Sequence, residues 1–140
     1  SMTPDQRNRF DAILEEVLDT MPDRVLDLLD EIPLIVDDQP DEQLIRALAV
    51  ESGENAEELL AEMPDSLCGL HTGVALTERS VESDAELPDQ IQIFRRGIVA
   101  TAGGWSDRET IAEEIRITIL HELGHHFGLD EDDLYELGYD

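Results

Sequence analysis

The sequence has one cysteine, Cys68, in 140 residues, so no intramolecular disulfide framework can form and a reducing compartment is expected. It has no lysine: all nine basic residues are arginines, set against 35 acids for a formal net charge of -26. That balance leaves no cationic stripe to track a phosphate backbone, which argues against nucleic acid as a partner or substrate. Long apolar runs are missing too. Nothing approaches the roughly 20 residues needed to span a bilayer, and the first residues contain no signal-peptide core, so no membrane partner and a cytoplasmic location are expected. Ser1 ahead of Met2 reads as a cloning remnant and is left out of the fold reasoning.

With 41% hydrophobic residues but only three Phe, two Tyr and one Trp, the chain can build one modest core under a strongly solvated surface. Its length suits a single domain over 1–140. Cys68, between Leu67 and Gly69 and near Leu70, reads as a thiol packed among apolar neighbours rather than a reactive one.

Local signals divide the chain. Thr3, Pro4 and Gln6 form a capping box with proline at the first helical position, and Phe10, Ile13, Leu14, Val17, Leu18 and Met21 repeat at helical spacing up to Pro22. A short helix through Val25, Leu26 and Leu29 leads to a strand at Ile32 to Val36. Further helices are predicted around Leu44 to Ala49, broken at Gly53, and through Ala56 to Met63, stopped at Pro64. Leu67 to Glu78 reads as an irregular turn or short hairpin and Ser80 to Glu86 as an acidic loop. Ile91 to Phe94 and Ile98 to Ala100 read as strands near the end of the sheet, with Gln90 to Phe94 or Ile98 to Thr101 able to offer an edge to an extended peptide.

The final long helix is predicted from about Asp107 to Phe127, capped by Ser106 with Glu109 and ended by Gly128, with Ile111, Ile115, Ile119 and Leu123 facing inward. Its last turns carry the string HELGHHFGLDE, residues 121 to 131. His121 and His125 are one turn apart, roughly 6 Å of rise, so their imidazoles leave the same face and can converge on one metal ion. Glu122 follows about 100° around the helix, beside such an ion rather than on it, where a carboxylate can act as general base. A catalytic zinc site takes three protein ligands and keeps one position open. The third must come after the chain stops being helical. Gly128 permits that reversal, and Glu131 is favoured by spacing, with Asp130 and Asp132 as competitors.

Together with the upstream segments LCGLHTGVALTER and LPDQIQIFRRGIV, the string HELGHHFGLDEDDLYELGY resembles the small bacterial zincin-like metallopeptidase family. The resemblance implies a zincin-type α/β (α+β) fold: a small twisted sheet packed on helices, with a C-terminal active-site helix. It implies Zn2+ held by His121, His125 and Glu131, Glu122 as base, Gly128 as the turn, and a peptide or flexible protein segment as substrate. Compared with metzincins, Glu131 stands in place of the usual third histidine and no methionine turn follows. The missing turn makes the alternative a catalytically weak or inactive zincin-like fold that binds zinc and peptides or protein partners. The family also carries tyrosine where this chain has His71.

Among the remaining polar residues, His126 is expected to cap the helix or lie on the surface, and His71 to be structural or exposed. Tyr135 and Tyr139 are expected to pack the C-terminal turn, and Arg79, Arg95 and Arg96 to neutralise nearby acids.

Overall fold

The computed structural model describes residues 2–72 and 89–136. Helix α1, Pro4–Thr20, begins with the expected reciprocal box. The Gln6 amide donates to Thr3 Oγ1 at 3.2 Å and the Thr3 amide donates to Gln6 Oε1 at 3.0 Å. Met21 leaves the helix in an extended conformation, φ -71 and ψ 145, as the ring of a following proline demands. Next come α2, Asp23–Leu29, and strand β1, Leu34–Asp37. Helix α3, Glu42–Ser52, is capped by Asp41 and ends at Gly53 with φ 73, and α4, Ala56–Glu62, is capped by Asn55. A 3-10 turn at Met63–Asp65 precedes β2, Gly69–Thr72. Then follow β3, Gln90–Phe94, α5, Arg95–Thr101, α6, Arg108–Phe127, and α7, Glu131–Glu136.

The three described strands form one sheet in the order β1-β3-β2. β1 runs parallel to β3 with Leu34 opposite Ile91 and Asp37 opposite Phe94, and β2 runs antiparallel to it with Gly69 opposite Ile93 and His71 opposite Ile91. Two strand expectations are corrected here. Residues 90–94 are the middle strand and offer no free edge. Residues 98–101 are helical: a three-residue apolar run does not by itself distinguish strand from helix, and here both Ile98 and Val99 are buried from within α5. Of the expected hairpin, residues 69–72 form β2, while residues 73–78, the acidic loop, Arg79 and Tyr139 lie outside the described residues.

The main core lies between the sheet and the pair α1 and α6. Phe10, Ile13, Ile91, Ile93, Ile98, Ile111, Ile115, Ile119 and Leu123 are fully buried there, and each such side chain contributes roughly 1.5–3 kcal/mol of burial. A smaller cluster of Ile45, Ala49 and Leu59 joins α3 to α4. Cys68 is half-buried, and burial pushes its thiol above the usual range despite a hydrogen-bond contact with Thr101 Oγ1 at 3.2 Å. It packs against the main core, as expected.

The scarce arginines tie the layers together. Asp38, just past β1, accepts from Arg7 of α1 at 2.7 and 2.9 Å and from Arg95 of α5 at 3.0 Å. Arg95 also grips Asp11 with two bonds of 3.0 and 3.1 Å, and Arg96 pairs with Asp65. Arg95 and Arg96 thus neutralise acids, as expected. The Arg7 hydrogen bond, with Arg95 adding to it, holds the Asp38 carboxyl below the ordinary carboxylate range. A depressed folded-state pKa adds stability that is present above the unfolded value and is lost as pH falls through the folded one. Asp38→Asn should therefore destabilise the protein by about 1 kcal/mol at neutral pH. In urea titrations at stepped pH, the difference from wild type should shrink as acid protonates Asp38.

Candidate metal centre

α6 supplies the site. Its cap is Asp107, whose Oδ1 accepts from the Thr110 amide at 3.2 Å, one residue later than the expected Ser106. Asp107 stands at the helix boundary itself, and its carboxylate reaches a free first-turn amide, as N-caps require. Ile111, Ile115, Ile119 and Leu123 form the expected inward face. The helix ends at Gly128 with φ 66 and ψ 33, and the Leu129 amide donates back to the Gly124 carbonyl at 2.8 Å. This left-handed closure is the reversal the sequence called for.

His121 and His125 are both exposed on one side of the helix, with ring centroids 4.3 Å apart and planes at 60°. Glu122 between them is buried, with 6% of its surface accessible, and its Oε1 lies 3.3 Å from His125 Nδ1. Donor atoms of all three residues fall within 4.8 Å of one another. The two imidazoles suit zinc, which takes nitrogen ligands at about 2.0–2.1 Å, and the Glu122 carboxylate stands beside them. Burial raises the Glu122 carboxyl above its ordinary pKa. The nearby imidazoles of His125 and His121 and a hydrogen bond from the His71 amide oppose that rise without cancelling it.

The hydrogen bond from His71 comes from β2, and the approach depends on Gly69. A Cβ at that position would lie 2.6 Å from Thr118 Cγ2, 3.2 Å from the Gln92 carbonyl oxygen and 3.3 Å from Glu122 Cγ. Only the absence of a side chain lets β2 lie this close to α6.

Glu131 is the first residue of α7, exposed, and outside the 4.8 Å cluster. Of its competitors, Asp130 is engaged in a local box: its Oδ1 accepts from the Asp133 amide at 2.8 Å while its own amide donates to Asp133 Oδ2 at 3.0 Å. Asp132 is exposed and also outside the cluster. Tyr135 is 68% exposed and so does not pack the C-terminal turn as expected; it is carried outward on a short helix whose inward residue is Leu134.

The chain matches the zincin-like metallopeptidase family over residues 29–139. It belongs to that family. No curated protein matches it closely. The zincin-like family normally binds zinc, the group of His121, Glu122 and His125 could hold a metal ion, and the α+β architecture agrees with the zincin-like fold. Among the described residues no helix is long and apolar enough to cross a membrane.

The same helix holds histidine contacts that the sequence reading missed. His126 is 5% exposed rather than a surface group, and its Nδ1 lies 3.0 Å from His71 Nε2. The correction has a simple cause. His126 is three residues after Leu123 and seven after Ile119, both on the inward face, so helical periodicity carries its ring inward while His125 points out. That signal was available in the spacing.

Gly69→Ala should cost about 1–3 kcal/mol by overpacking and should displace Glu122 from the His71 amide. Denaturant midpoints would report the first effect, and protection of the His71 amide from hydrogen exchange the second. An unchanged midpoint would mean that the close approach is not required.

Proposed function

We propose that this zincin-like protein is a zinc-dependent peptidase acting on a peptide or a flexible protein segment. The observation that carries the reading is the buried Glu122 carboxyl held between two exposed imidazoles on one helix face. His121 and His125 hold the ion, and Glu131, three residues past the Gly128 reversal, is assigned as the third ligand on spacing and family resemblance. A zinc ion there supplies Lewis acidity, polarising a carbonyl and making water acidic enough to lose a proton near neutral pH.

The chain's own residues supply the rest. Glu122 takes the proton of the attacking water and returns it to the leaving amine, and a carboxyl with a raised pKa suits both halves of that exchange. The His71 amide keeps the carboxylate oriented while it works. Substrate alignment follows from the sheet. The Phe94 amide donates to the Cys68 carbonyl, and antiparallel bonding alternates every second residue, so the peptide groups of Gly69 and His71 face away from β3. The outer edge of β2 therefore runs beside Glu122 and faces no described strand. An extended peptide added to that edge would lie next to the base. This role falls to β2 instead of the segments expected from the sequence.

Glu122→Gln should retain zinc and lose turnover of an unstructured protein substrate by about 10²–10⁴-fold, the usual contribution of general base catalysis. His121→Ala should lose the ion itself. Zinc-loaded wild type that binds peptides in fluorescence anisotropy but cleaves none would favour the alternative, a binding fold without catalysis.

A further inference from the structure

A second set of metal-ligating side chains lies on the inward side of the same helix. His126 of α6, His71 of β2 and Asp89, just ahead of β3, offer donor atoms all within 4.8 Å of one another. We propose that these three residues form a second site for a divalent transition-metal ion, with zinc as its occupant.

The placement follows from register. His71 pairs with Ile91, and Asp89 stands two residues before Ile91, so it is the diagonal neighbour of His71 on the same face of the sheet. α6 packs across that face, and its inward turn delivers His126. The two rings meet edge to face, with centroids 4.9 Å apart and planes at 67°. Their nitrogens are 3.0 Å apart, close to the about 3.3 Å that two imidazoles span when both bind one tetrahedral ion at zinc–nitrogen distances of about 2.0–2.1 Å. A shared proton also fits that separation, so zinc would displace this proton and bind in its place. The carboxylate distinguishes the set from a simple histidine pair, because it brings to a half-buried position the negative charge that a divalent ion is matched to. Two imidazoles and one carboxylate are a common donor set for first-row metals.

An ion there would join α6, β2 and the entry to β3. β2 is also the strand whose His71 amide holds Glu122, so the second ion would stiffen the support of the base without touching the reacting atoms. The proposal does not depend on peptidase activity.

The test uses the double variant His121→Ala/His125→Ala, which lacks the outward imidazoles, after metal removal. Equilibrium dialysis against zinc should leave one ion per chain in the double variant and two in wild type. Cobalt titration should develop visible absorption bands in both. Adding Asp89→Asn should weaken zinc binding at least about tenfold, in line with losses seen for groups supporting a metal, and adding His71→Phe should abolish it. A folded double variant, judged by circular dichroism, that holds no zinc overturns the proposal, as does bound zinc that neither added change affects. If the double variant does not fold, His71→Phe in the wild-type background decides. A fall from two ions to one supports the second site, and one ion in both proteins refutes it.

Discussion

The close approach of β2 to α6 is the contact on which the site depends. Without a side chain at Gly69, strand and helix come together until the His71 amide reaches the Glu122 carboxylate. The bond does two things at once. It satisfies an amide on the outer edge of a strand, and it orients a carboxyl that burial would otherwise leave poorly solvated. The same approach sets the side chain of His71 against His126 on the inward side. One glycine thus brings a strand's backbone to the outward acid and its side chain to the inward imidazole.

Around that contact the helix divides labour by angle. Successive residues rotate by about 100°, so His121 and His125 emerge into solvent, Glu122 lies in the shadow of β2, and His126 joins the core face with Leu123. The run of two adjacent histidines is therefore two different environments rather than a redundant pair. The core beneath keeps the helix in register: Ile111, Ile115 and Ile119 are fully buried against α1 and the sheet. Charge plays its part at a distance, where Arg7 and Arg95 converge on Asp38 and bind α1, β1 and α5 into one unit. With nine arginines set against 35 acids, the chain stays strongly negative even where such pairs form.

Much of this was legible before any coordinates. The Thr3 capping box, the stop at Pro22, the left-handed Gly53 and Gly128 and the inward isoleucine stripe of α6 are local matters, decided by hydrogen bonds and sterics within a few residues. So was the pairing of His121 with His125, because four residues are one helical turn. The misreadings have a common origin. Ile98 to Ala100 is an apolar run too short for its period to be read, and the position of β3 in the middle of the sheet is a property of strand order, which no single segment encodes. His126 differs, because its spacing from Leu123 is a local signal that points inward, next to an outward-facing His125.

By itself, then, the sequence determined the helix that carries the motif, the face from which its two imidazoles leave, the acid between them and the glycine that ends it. These follow from helical geometry and the conformational freedom of one residue. Only the tertiary structure decided which strand lies over Glu122, that Gly69 is the residue permitting it, and that His71 and Asp89 meet His126. Those relations join residues up to 55 positions apart across a sheet and a helix, and they depend on packing distances that no local pattern records.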